Sequence, residues 1–199
     1  MLFILVRFFD LPGAVFATTF RHPIDRWYSQ YRFEHLEHRD GSAPGSPRAP
    51  MLPWYNNQKG WTMGTNYYVT TFIGDEDFPP PSSRTGDFYW TYHKFQHKKI
   101  DFPTFSKAVR NLRKFHLVLI TEWLERSAPV MNAGLGWHDA PQQVLPHEVQ
   151  APRKSKVNIP SRKLLSSQDY NTLAQENVFD LLLFAVAKRI FLERSKCST

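Results

Sequence analysis

Seven uncharged residues, Ala14-Val15-Phe16-Ala17-Thr18-Thr19-Phe20, are separated by only Arg21 and His22 from Pro23. After Pro23, Ile24, Trp27, Tyr28 and Tyr31 recur at i, i+3, i+4 and i+7. The first run is rich in β-branched and aromatic side chains and predicts a strand buried on both faces, as in a parallel sheet. The second is one buried helical stripe, in a helix running to about Glu37. Pro23 suits its first position, where an N–H would have no intrahelical partner. His116-Leu117-Val118-Leu119-Ile120-Thr121 predicts a second buried strand. Strand, helix, strand and helix in that order read as α/β, with short strand-to-helix turns that place a site at the carboxyl edge of the sheet.

The other elements are read from caps and periodicity. Thr65 to Ile73 is read as a helix. Phe102 to Leu112, after Asp101, is a helix with Phe105, Val109 and Leu112 on one face. Ser166-Ser167-Gln168-Asp169 carries a capping signature with an acidic third position. The helix it opens leads into an apolar one from Asn177 to Arg194, with Lys188, Arg189 and Arg194 toward the C-terminal end. Three Pro-, Gly- or Ser-bearing stretches, at about 40–60, 78–87 and 138–163, are read as long loops in a single domain covering 1–199. Fifteen prolines against nine glycines fit stiffened connections of this kind.

Composition narrows the chemistry. The single cysteine, Cys197, excludes an internal disulfide framework and a cysteine-built zinc site. No apolar run approaches the ~20 residues that cross a bilayer, so no membrane contact is expected of this segment. A net charge of +7 and a pI near 9.6 suit an anionic partner. Nucleic acid is not the expected one, because the aromatics follow core periodicity and no nucleic-acid-binding motif is present. No Gly-x4-Gly-Lys-Ser/Thr loop supports a nucleoside triphosphatase. The eight histidines include helically spaced pairs, His35/His38 and His93/His97, but no third ligand, so no metal is expected.

The densest chemistry lies in Arg21-His22-Pro23-Ile24-Asp25-Arg26-Trp27-Tyr28-Ser29-Gln30-Tyr31. It sets an arginine at the carboxyl end of a strand, then the positive end of a helix, then a serine hydroxyl two turns on. A guanidinium, helix N–H groups and a neutral donor together make an anion site. This segment resembles the 3'-phosphate-binding motif of sulfotransferases: Arg, any, Pro, two residues, Arg, two residues, Ser, any, Tyr or Phe. The strongest likeness is to the Golgi carbohydrate sulfotransferases of the chondroitin, dermatan and heparan types. Asn66-Tyr67-Tyr68-Val69 with Gly74, the segment Phe115 to Glu122 ending in Leu135-Gly136-Trp137, and Asn177 to Arg194 after Lys156-Val157-Asn158 resemble further family segments in the same order.

The resemblance implies an α/β, parallel-sheet, P-loop-NTPase-like sulfotransferase fold, incomplete at its amino end. It implies transfer of a sulfuryl group from 3'-phosphoadenosine 5'-phosphosulfate to a carbohydrate hydroxyl, on the luminal side of the Golgi membrane. Arg21 and Ser29 match the pair that holds the 3'-phosphate. Lys154 and Lys156 lie where the family has a loop closing over the nucleotide. Arg26 is expected mainly in local salt bridges with Asp25 or Glu122, Glu122 as a partner of Arg26 or Arg126, and His22 as a cap or surface residue. The family's lysine-bearing loop for the 5'-phosphosulfate has no counterpart before Arg21, a stretch with no lysine and one glycine. The chain is therefore expected to keep the 3'-phosphate half of the donor site, as part of a longer enzyme or as a catalytically inactive nucleotide- or polyanion-binding remnant.

Overall fold

A computed structural model of the chain describes residues 14–36, 50–58, 65–73, 100–127, 130–131, 135 and 165–196. Its elements are β1 (Ala17–Phe20), α1 (Pro23–Leu36), α2 (Met51–Gln58), α3 (Tyr67–Phe72), α4 (Phe102–Arg113), β2 (Leu117–Ile120), a 3-10 helix (Thr121–Arg126), α5 (Ser167–Glu176) and α6 (Val178–Lys196). The described residues are thus a mixed helix and sheet assembly around a small parallel pair, β1 beside β2, with Ala17 opposite Leu117 and Phe20 opposite Ile120.

The helices begin where local chemistry predicts. The Asp101 carboxylate accepts from the Thr104 N–H at 2.9 Å to start α4, and the Ser166 hydroxyl accepts from the Asp169 N–H at 3.0 Å to start α5. Each satisfies a backbone donor that the first turn leaves without an intrahelical acceptor. Pro23 is the first residue of α1, as expected.

The core has two parts. One is built on the sheet, where Phe20, Leu117, Val118 and Ile120 meet α3, α4 and α6. The other gathers Ile24, Trp27 and Tyr31 of α1 with Met51, Trp54 and Tyr55 of α2 and Leu173 of α5. Trp27 stands edge-on to Tyr55 at 4.7 Å between ring centroids, a favoured aromatic geometry.

Two expectations are corrected. The stretch read as a loop at 40–60 contains α2. Pro50 precedes that helix and Pro53 lies in its first turn, where a missing N–H does no harm. The Trp54 N–H bonds back to the Pro50 carbonyl at 3.2 Å, and Met51, Trp54 and Tyr55 form its buried face. Second, β1 is not buried on both faces: Thr18 and Phe20 are buried while Ala17 and Thr19 are exposed. In β2, by contrast, Leu117, Val118 and Ile120 are all buried. The apolar helix expected from Asn177 to Arg194 is present as α6, separate from α5, which ends at Glu176. The stretches at 78–87 and 138–163 lie outside the described residues.

Candidate functional site

Parallel pairing sets the carboxyl ends of β1 and β2 side by side, so Arg21 leaves one strand where Thr121 and Glu122 leave the other. Arg21 and His22, between β1 and α1, belong to neither element, so their four backbone polar groups need partners elsewhere. All four have one. The Arg21 N–H donates to the Tyr68 hydroxyl at 3.1 Å, and that hydroxyl donates to the Arg21 carbonyl at 3.0 Å. The His22 N–H donates to Glu122 Oε1 at 2.7 Å, and the His22 carbonyl accepts from the Arg26 N–H at 2.9 Å.

His22 is half-buried, edge-on to Phe184 with centroids 5.5 Å apart. Desolvation draws its pKa below the ordinary 6.5; Asp25 and Glu122 oppose that shift and Lys188 adds to it. The imidazole is therefore neutral at pH 7. Among the described residues its buried Nδ1 makes no hydrogen bond and lies 4.0 Å from Asp25 Oδ2, so the ring does not cap α1 and the side chain is half-buried rather than on the surface. The Glu122 expectation is corrected: its carboxylate takes the backbone N–H at the start of α1 rather than Arg26 or Arg126. A negative group at a helix N-terminus is favoured by the helix dipole as well as by the hydrogen bond.

Arg26 lies deeper than a surface ion pair would place it. Its guanidinium sits over the rings of Tyr67 at 4.4 Å, Trp27 at 5.0 Å and Tyr68 at 5.3 Å, with Nε and Nη2 buried. Planar guanidinium on aromatic faces is a favourable way to bury that charge. It also holds down the pKa of the fully buried Asp180, which desolvation nonetheless raises to about 6.

Asp180 belongs to a buried polar hub joining five helices. Its two carboxylate oxygens accept from the Tyr68 and Val69 N–H groups at 3.0 and 2.9 Å. Asn177 Oδ1 accepts from Trp27 Nε1 at 3.2 Å and from the Asn66 N–H at 3.1 Å. Its Nδ2 donates to the Tyr55 hydroxyl at 3.0 Å and the Leu173 carbonyl at 2.8 Å. Every polar atom of the Asn177 side chain is thereby satisfied, as burial requires.

Of the residues read from the sequence as anion-binding, Arg21 and Ser29 are described and half-buried, Arg21 at the strand end and Ser29 two turns up α1. Among the described residues the Arg21 guanidinium makes no hydrogen bond or ion pair, nor does the Ser29 hydroxyl. Lys154 and Lys156 lie outside the described residues. Tyr68, Asn66, Asn177 and Asp180 were not singled out as polar partners from sequence. Their signal was Asn177 and Asp180 three residues apart beside an otherwise apolar helix. No group of three or more His, Cys, Asp or Glu side chains suited to a metal exists among the described residues. None of the described helices is long and apolar enough to cross a membrane. Compared with family models, curated proteins and solved structures, the chain has no match in any of the three.

Proposed function

We propose that this chain is a sulfotransferase-type domain that holds the 3'-phosphate of 3'-phosphoadenosine 5'-phosphosulfate at the carboxyl end of β1, in a P-loop-NTPase-like parallel sheet of which β1 and β2 form part. The observation that carries the reading is the placement of Arg21. Its backbone is fixed on both sides by Tyr68 while its guanidinium stays unengaged by the described residues, at the edge where α1 begins. Such a group can take a phosphate bidentately, with the positive end of α1 beside it and Ser29 as a neutral donor. Lys154 and Lys156 are proposed to add charge over the nucleotide.

The reaction served is in-line displacement at sulfur. A carbohydrate hydroxyl gives up its proton to solvent as its oxygen bonds to sulfur, the bond from sulfur to the bridging oxygen breaks, and adenosine 3',5'-bisphosphate leaves with that electron pair. This chain's residues contribute binding and orientation, the source of much of the rate in such transfers. A basic surface would steer an acidic glycan acceptor, and the proposed setting is the luminal side of the Golgi membrane. Calorimetric titration of the full chain with adenosine 3',5'-bisphosphate and with adenosine 5'-monophosphate tests the reading. Preference for the bisphosphate by about tenfold or more, abolished in Arg21→Ala, is expected for a charge-assisted contact. Equal affinity for the two nucleotides would sink it.

A second reading has its own support. The Glu122 carboxylate already bonds the His22 N–H at the start of α1 and would repel a phosphate there. A catalytically inactive nucleotide- or polyanion-binding remnant can retain such a group. Bisphosphate binding without sulfuryl transfer to any glycan would favour it.

A further inference from the structure

Arg21 can act on a phosphate only if its backbone is held still, because a guanidinium on a mobile turn pays its ordering entropy at each binding event. Neither helix nor sheet holds it. We infer that Tyr68 is the positioning residue of the proposed phosphate site, its hydroxyl setting the direction in which the Arg21 side chain leaves the strand. This rests on the phosphate reading of Arg21 and extends it to a residue that touches no ligand.

Three observations support the assignment. One hydroxyl both accepts from the Arg21 N–H and donates to the Arg21 carbonyl, at 3.1 and 3.0 Å, so it grips the peptide groups on both sides of one Cα. The phenol is itself immobile. Its ring lies 4.7 Å from that of Phe20, the last residue of β1, and its own N–H is held by Asp180 Oδ2 at 3.0 Å. Finally, burial raises the phenol pKa to about 12, so the hydroxyl keeps the proton it donates across the neutral range. The rigidity of α6 and α3 therefore reaches the strand end through a single side chain, although Tyr68 and Arg21 are 47 residues apart.

Tyr68→Phe keeps the ring and removes the grip. In the full chain, its affinity for adenosine 3',5'-bisphosphate should fall about tenfold, while that for adenosine 5'-monophosphate, which has no 3'-phosphate, stays within about twofold. A merely structural role would leave both affinities unchanged or weaken both by the same factor, and either result overturns the inference. If the wild type itself fails to prefer the bisphosphate, the phosphate reading falls and takes the inference with it. A wild type that discriminates beside an unaltered Tyr68→Phe defeats the inference alone. Amide hydrogen exchange of the unmodified protein needs no variant to fold. The Arg21 amide must be protected to a degree comparable with the β1 ladder, and exchange at the rate of an open turn overturns the assignment.

Discussion

Asn66 and Asp180 each cap the helix that carries the other. Asn66 Oδ1 accepts from the Phe179 and Asp180 N–H groups at 2.9 and 3.1 Å, at the start of α6. The Asp180 carboxylate accepts from the Tyr68 and Val69 N–H groups at the start of α3. Four backbone donors that helix geometry leaves open are satisfied by two side chains. The exchange requires Asn66 to adopt φ 55°, ψ 46°, a left-handed conformation that asparagine accepts more readily than most residues.

Replacing Asn66 should therefore reveal separate side-chain and backbone costs. Asn66→Gly loses the side-chain bonds but relieves the backbone. Asn66→Ala loses the same bonds and adds left-handed strain of about 1 kcal/mol. Both variants should be destabilised in urea unfolding by about 2–4 kcal/mol, since buried N–H groups are left without acceptors. Alanine should be the worse of the two. Equal stability of Asn66→Ala and wild type would refute the reciprocal capping.

Asp180 predicts a pH dependence of unusual sign. Its folded-state pKa of about 6 lies above the ordinary 3.8, so the fold retains a proton that the unfolded chain has lost. The resulting stabilisation is fully present below about pH 4 and lost as pH rises through about 6, amounting to as much as about 3 kcal/mol. His22, drawn below 6.5, acts in the opposite sense, losing stability as pH falls through its folded-state pKa. The Asp180 contribution is therefore read as a difference. Subtracting the urea-derived stability of Asp180→Asn from that of wild type should give a value declining from pH 4 to pH 7. A flat difference would mean that Arg26, over the neighbouring rings, offsets the desolvation.

The elements nearest the site were the most legible in sequence, because each is specified locally. Pro23 marks the start of α1, the Ile24, Trp27 and Tyr31 stripe marks its buried face, and Asp101 and Ser166 cap as their positions predict. α2 is hidden in the sequence because Pro50 and Pro53 are as common in loops as in the first turn of a helix, where they are tolerated. The polar hub could not be read locally. Asn66 meets Asn177 and Asp180 across 111 and 114 residues of chain, and nothing in the neighbourhood of either segment names the other. The rings around Arg26 could not be read locally either: Tyr67 and Tyr68 come over the guanidinium only through the fold.

Within the proposed site, Arg21 and Ser29 should differ in weight. Arg21→Ala removes a charged donor and should weaken adenosine 3',5'-bisphosphate binding by ~1.5–3 kcal/mol, while Ser29→Ala removes a neutral one and should cost ~1 kcal/mol. The wild-type affinity should fall as salt is added, and Arg21→Ala should flatten that dependence. An Arg21→Ala chain that folds and binds as wild type does would exclude Arg21 from the site.

Glu122 is the group on which the two functional readings diverge. Its carboxylate contributes a hydrogen bond to His22 N–H and a negative charge beside α1, and substitution can separate these. Glu122→Gln retains an acceptor without the charge, whereas Glu122→Ala leaves the N–H to water and should cost roughly 0.5–1.5 kcal/mol of stability. Because Glu122 raises the His22 pKa, Glu122→Gln should lower it further, as followed by the imidazole proton shifts. If a phosphate approaches this end of α1, removing the negative charge should also strengthen bisphosphate binding several-fold at low salt, and less at high salt. Strengthened binding would identify Glu122 as a resident anion that competes with ligand. Unchanged binding beside the lowered His22 pKa would place the phosphate beyond the reach of the carboxylate, held by Arg21 rather than by the helix end.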